Sequence, residues 1–223
     1  MILRTFFFFW ALLWVLPANA KSPQQICQEK AAGVQQVNIR YKYGKLGLKQ
    51  VSSAEISANC GDNAAGCCHS SGGKYFVQTT FKTIQSGEIL CVVPIVNVDF
   101  DFSGTYIEIT DEYDPCETRA VLRHELQHFM IWKTGHEQQL LQTREKLAQL
   151  ARQRVVACVA GDDCDYPYSK DEFGNLVQKI ATRWQRVIKA NNKKLDENDH
   201  DFEKEVNYRV CMPYSVKKIS LFH

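Results

Sequence analysis

The residues best suited to chemistry are His124, Glu125 and His128, in the stretch His124-Glu125-Leu126-Gln127-His128. Two histidines four apart stand one above the other on a helix face, so both imidazoles can reach a single zinc ion. Glu125 is one residue round the helix, too displaced to share their role as ligand. It is placed instead to take a proton from a water that zinc has acidified to a pKa of about 7. The resulting hydroxide attacks a peptide carbonyl, zinc polarises the carbonyl oxygen, and the glutamate returns the proton to the leaving amine.

That chemistry requires a helix under the motif, and the flanking residues predict one. Asp114 is a good N-cap, Pro115 suits the first helical position, and Glu117 stands three after the cap, which together mark a helix start. The helix is expected to run to about Lys133, with Gly135 as its stop. A second helix is expected from about His136 to Cys158, where Leu140, Leu147, Ala151 and Val155 recur at helical spacing. Later helices are expected from about Asp171 to Ala190 and from about Asn198 to Val210. The first half reads as strand and loop, with Tyr75 to Thr80 and Ile89 to Phe102 as its best strands. Pro94 points to an edge or a bulge in the second of these. Thr105 to Thr110 alternates again after Ser103-Gly104 and is expected to pair back as a hairpin. The stretch from Asn59 to Gly73, with three cysteines and four glycines, reads as a disulfide-tied excursion. The fold class expected is α+β, a strand-rich N-terminal half packed on a helical C-terminal half.

Residues 1–20 read as a secretory signal: Arg4, then the apolar run Phe6 to Leu16, then the cleavage site Ala18-Asn19-Ala20. The run of eleven residues falls short of the roughly 20 a membrane-spanning helix needs, so no stable membrane insertion is expected after cleavage. Residues 21–223 are then one domain, secreted or periplasmic. Lys and Arg number 27 against 25 Asp and Glu, and only Arg4 precedes residue 21, so the mature balance is 26 against 25. Such a balance supplies no basic excess for nucleic acid, which is excluded as a partner. Lys193-Lys194 and Lys217-Lys218 read as solvated surface. All nine cysteines lie after the signal, which implies structural disulfides in an oxidising compartment. Cys158 and Cys164 are spaced to close a short loop. The odd number leaves a thiol over, expected among Cys60, Cys67 and Cys68, and read as a buried, inert sulfur or an intermolecular disulfide in preference to a latch on the zinc site.

At His124, Glu125 and His128 the chain resembles the zincin superfamily of metallopeptidases, which carry H-E-x-x-H on an active-site helix beneath a twisted sheet. It is similar to small exported bacterial proteins predicted to be zinc proteases. The resemblance spans residues 90–134 and implies a zinc cofactor, a peptide or protein substrate, and a sheet edge that binds substrate in extended form. The third zinc ligand departs from the best-known patterns. Ile131 and Thr134 stand where a metzincin has glycine and histidine. His136 lies about 18 Å along a continuous helix from His124 and needs a sharp reversal at Gly135 to return. An antiparallel second helix would bring Glu145 level with the motif, as in gluzincins. His200, Glu203 and Glu205 are further candidates, and the residues alone do not choose. His69 and His223 read as bystanders. The alternative to a zinc-dependent peptidase is a disulfide-stabilised secreted binding protein without catalytic activity.

Overall fold

The computed structural model describes residues 21–62, 64–70, 73–161, 164 and 171–198. The expected signal segment, the expected last helix beyond Asn198, and with it His200, Glu203, Glu205 and His223, lie outside the described residues. The elements run α1 (Pro23–Ala32), β1 (Val37–Tyr43), β2 (Gly47–Val51), α2 (Ser53–Cys60), β3 (Gly66–His69), β4 (Lys74–Ser86), β5 (Ile89–Phe102), β6 (Tyr106–Thr110), α3 (Pro115–Gln153), β7 (Val156–Val159) and α4 (Asp171–Asn198). This is a mixed α+β chain, strand-rich first and helical afterwards. Sequence patterning missed α1, although Ser22 caps it, Gln25 completes a reciprocal capping box and Pro23 opens its first turn.

β5 is the central strand, over the Ile89 to Phe102 span that alternation predicts. Val96, Val98, Phe100 and Phe102 point to one face and pack on Leu147 and Ala151 of α3 and on Phe173 and Val177 of α4. Cys91 and Val93 point to the other face, where Cys27 and Ala31 of α1 cover them and the Cys27–Cys91 disulfide joins strand to helix. Pro94 sits at a local edge and not at a bulge. On one side β4 pairs with β5 throughout, and on the other β7 pairs with Ile89 to Val92 and β1 begins at Val96. Pro94, which has no N–H to give, falls in the gap between those two partners.

The expected hairpin does not form, because β5 and β6 belong to different sheets. The first has the order β1-β5-β4 with β7 beside β5, and the second has the order β2-β6-β3. β2 runs parallel to β6 as β1 runs parallel to β5, so the chain carries a two-strand parallel ladder through residues 44–46 and 103–105 from one sheet to the next. The excursion from Asn59 to Gly73 contributes β3, antiparallel to β6, and holds the Cys60–Cys67 disulfide. The Cys158–Cys164 loop closes as expected. No helix among the described residues is long and apolar enough to cross a membrane.

The helix start at Asp114 is as expected. Asp114 accepts from the backbone of Cys116 and Glu117, and Glu117 returns a bond to the Asp114 N–H. The expected stop at Gly135 is wrong. α3 continues unbroken to Gln153, and the chain from Val156 is strand, not helix. Gly135 lies in the middle of α3 because a Cβ there would stand 2.4 Å from Cγ1 of Ile188 on α4. The glycine serves helix-to-helix approach. α4 runs antiparallel to α3: Arg154 forms a bidentate pair with Glu172, Trp184 Nε1 donates to Gln142 Oε1, and His128 meets Asn192.

Candidate metal centre

His124 and His128 stand on successive turns of α3, with ring centroids 4.6 Å apart and planes at 81°. Their Nε2 atoms are 3.0 Å apart. Two nitrogens bonded to one tetrahedral zinc at about 2.0–2.1 Å sit roughly 3.3 Å apart, so the observed spacing is close to that of a shared ion. Ligand-type atoms of His124, Glu125 and His128 all lie within 4.8 Å of one another.

α4 supplies what the motif lacks. Asp196 Oδ1 lies 2.9 Å from His128 Nε2 and 3.6 Å from His124 Nε2. Two imidazole nitrogens and one carboxylate oxygen therefore converge, a donor set that zinc and similar borderline metals take. Asn192, one turn before Asp196, places Oδ1 2.9 Å from His128 Nδ1. An amide oxygen can only accept, so Nδ1 carries the proton and Nε2 presents its lone pair to the site. The histidine side chains are 16% and 13% exposed and Asp196 is 60% exposed, so the site opens to solvent on the α4 side.

Glu125 lies beside the two histidines and beneath β3. Its side chain is buried, and its carboxylate accepts from the backbone N–H of Cys68. β3 can lie this close because Gly66 has no side chain: a Cβ there would meet Val121 Cγ1 at 2.6 Å and Glu125 Cγ at 3.3 Å. Burial pushes Glu125 up to about 7, with His128 opposing the shift, Asp196 reinforcing it and the Cys68 N–H opposing it. Among the described residues Cys68 is the free cysteine, in the cluster where one was expected. Burial and then the charge of Glu125 raise its thiol to about 12, so it stays protonated and a poor metal ligand.

Neither candidate from the C-terminal half of α3 reaches the site. Glu145 stands seventeen residues beyond His128 on the same unbroken helix, about 25 Å along its axis. His136 is buried, stacked on Phe102 at 3.9 Å and edge-on to Trp132 at 4.1 Å. Its burial lowers it to about 4, so it is a neutral core residue. Asp196 and Asn192 were missed because the expected helix stopped at Ala190. The signal was their i, i+4 spacing, which matches that of His124 and His128. His69, read as a bystander, joins a separate cluster with Cys60, Cys67 and Glu108. No family model, curated protein or solved structure matches the chain.

Proposed function

We propose that the chain is a zinc-dependent peptidase, exported to a secreted or periplasmic location, that hydrolyses peptide bonds of a peptide or protein substrate. The observation that carries this reading is the convergence of His124 Nε2, His128 Nε2 and Asp196 Oδ1 within 3.6 Å of one another, beside a buried Glu125. His124, His128 and Asp196 would hold the ion, and Asn192 would fix the His128 ring. Zinc would supply Lewis acidity at the substrate carbonyl and acidify a water. Glu125, with a proton affinity near neutrality, is suited to take a proton from the attacking water and hand it to the leaving amine.

The test is metal content and peptide hydrolysis of the purified protein before and after chelation, with Glu125→Gln beside the wild type. The variant is expected to keep its zinc and to lose roughly 10²–10⁴-fold in turnover, the usual contribution of a positioned general base. A variant as active as the wild type refutes the assignment. A metal-loaded wild type that hydrolyses no peptide favours the binding-protein alternative.

A further inference from the structure

The sheet β2-β6-β3 has two faces, and strand alternation gives them different chemistry. Gly66 and Cys68 point to α3 and Glu125. Cys67 and His69, with Glu108 across the ladder, point to the opposite face, beneath α2. There His69 Nε2 lies 2.9 Å from Cys67 Sγ, 3.6 Å from Cys60 Sγ and 2.9 Å from Glu108 Oε2. All four ligand-type atoms fall within 4.8 Å of one another.

We propose that Cys60, Cys67, His69 and Glu108 form a second metal site, separate from His124 and His128, which takes one thiophilic divalent cation when the Cys60–Cys67 disulfide is reduced. The donors come from three elements, the last residue of α2, β3 and β6, so the fold itself assembles them. Each is held in place. His69 stacks on Tyr106 with centroids 4.5 Å apart and planes 19° apart, which aims Nε2 at the cluster. Glu108 is 3% exposed, a carboxylate that folding has taken out of water. Asn59 Nδ2 donates to its Oε2 at 3.1 Å, and Lys49 Nζ lies 3.6 Å from its Oε1. These contacts hold the carboxylate oxygens in place beside His69.

The arithmetic of protons favours a cation. His69 Nε2 has at most one proton, and two sulfurs and a carboxylate oxygen surround it. In the disulfide form that suffices, because bonded sulfurs need no partner and the proton goes to Glu108. In the dithiol form two thiols crowd the same space, and one divalent ion bound to two thiolates, the imidazole and the carboxylate satisfies all four at once. Two sulfurs, one nitrogen and one oxygen make a tetrahedral set of the kind zinc prefers.

The exchange balances. Binding to the dithiol releases the two thiol protons. On oxidation by a small-molecule disulfide, the two thiolates give up two electrons, the Cys60–Cys67 bond forms, the oxidant's S–S bond breaks to two thiolates that take two protons from water, and the cation is released. Cys60 and Cys67 are partly exposed, whereas Cys27 and Cys91 are fully buried, so a mild reductant reaches the first pair before the second.

The test uses Co2+ as the probe, because thiolate-bound cobalt has a near-ultraviolet charge-transfer absorption that imidazole and carboxylate ligands do not produce. The whole mature protein is reduced anaerobically with a phosphine and titrated with Co2+. One equivalent of thiolate-bound cobalt per chain is expected. The absorption should be lost in Cys67→Ser, retained in Cys68→Ser, in His128→Ala and in a Cys158→Ser/Cys164→Ser double variant, and weakened at least tenfold in affinity in Glu108→Gln. Glutathione disulfide should then release one equivalent of cobalt. Absence of the absorption when thiol counting shows Cys60 and Cys67 reduced overturns the proposal, and so does its survival in Cys67→Ser. Reduced protein that loses its native circular dichroism and shows no absorption with cobalt present overturns it as well.

Discussion

Gly135→Ala tests whether the packing of α4 on α3 builds the proposed metal centre. In an unstrained mid-helix position the change would stabilise the fold by about 0.5–1 kcal/mol, through helix propensity alone. Here the new Cβ would lie 2.4 Å from Cγ1 and 2.7 Å from Cδ1 of Ile188, which is itself buried. One helix must move outward or Ile188 must leave its rotamer, and overpacking of this kind costs about 1–3 kcal/mol. The net expectation is a loss of about 1–2 kcal/mol, a melting temperature lower by roughly 2–8 °C for a chain of this size. The same displacement carries Asn192 and Asp196 away from His128, so zinc affinity should fall although no ligand has been touched. Ile188→Ala removes both clashing atoms, so in a double-mutant cycle the pair should cost less than the sum of the singles by about 1–3 kcal/mol. Urea unfolding of the four proteins and zinc titration of the folded ones supply the data. A Gly135→Ala protein more stable than wild type, or strictly additive with Ile188→Ala, would show that the two helices do not meet as described.

Two further outcomes follow from the same geometry. Asp196→Ala should weaken zinc binding at the His124–His128 site far more than Glu145→Ala, and Asn192→Ala should weaken it about 10–100-fold as the partner that orients a ligand ring; equal effects of Asp196→Ala and Glu145→Ala in competition titrations with a chelator would remove Asp196 from the ligand set. His136 gives a pH dependence: burial lowers its folded value to about 4 against an ordinary 6.5, so the unfolded chain binds the proton first, and stability is fully present above about pH 6.5 and lost as pH falls toward 4. A difference of that size between the folded and unfolded proton affinities corresponds to a loss of about 3 kcal/mol, and a His136→Phe variant whose stability falls just as steeply over that range would refute the assignment.

Local signals in the chain were legible where one element carried them alone. The alternation from Val96 to Phe102 matched a half-buried strand, and Asp114, Pro115 and Glu117 marked a helix start that the structure reproduces. The continuation of α3 was not legible, for an identifiable reason. Its buried stripe past Gly135 runs through His136, Gln139 and Thr143 before it reaches Leu147 and Ala151. Three polar residues on the inward face hide the apolar period, and a glycine among them reads as a terminus. The division of the strands into two sheets was hidden because β5 and β6 alternate alike, and only their pairing with β1 and β2 separates them. The approach of Asn192 and Asp196 was hidden by distance along the chain, since Asn192 lies 64 residues beyond His128 and nothing local announces either contact.

Two glycines set the geometry of the candidate site from opposite sides. Gly135 lets α4 approach α3 closely enough for Asp196 to reach both histidines. Gly66 lets β3 descend onto the same helix until the Cys68 N–H meets Glu125. The consequences differ because the approaching elements differ. A helix delivers side chains at i, i+4 intervals, so α4 contributes an acceptor for one ring and an oxygen for the metal position from one face. A strand lying flat on a helix delivers backbone, so β3 contributes an N–H and excludes water without adding a ligand. Its neighbouring side chains, Cys67 and His69, must point away by the two-residue period of the strand. One face of four residues thus covers Glu125 while the other faces Glu108 and Cys60. A displacement of β3 by the redox state of Cys60 and Cys67 would therefore reach Glu125 through the backbone of Cys68, with no side chain in between.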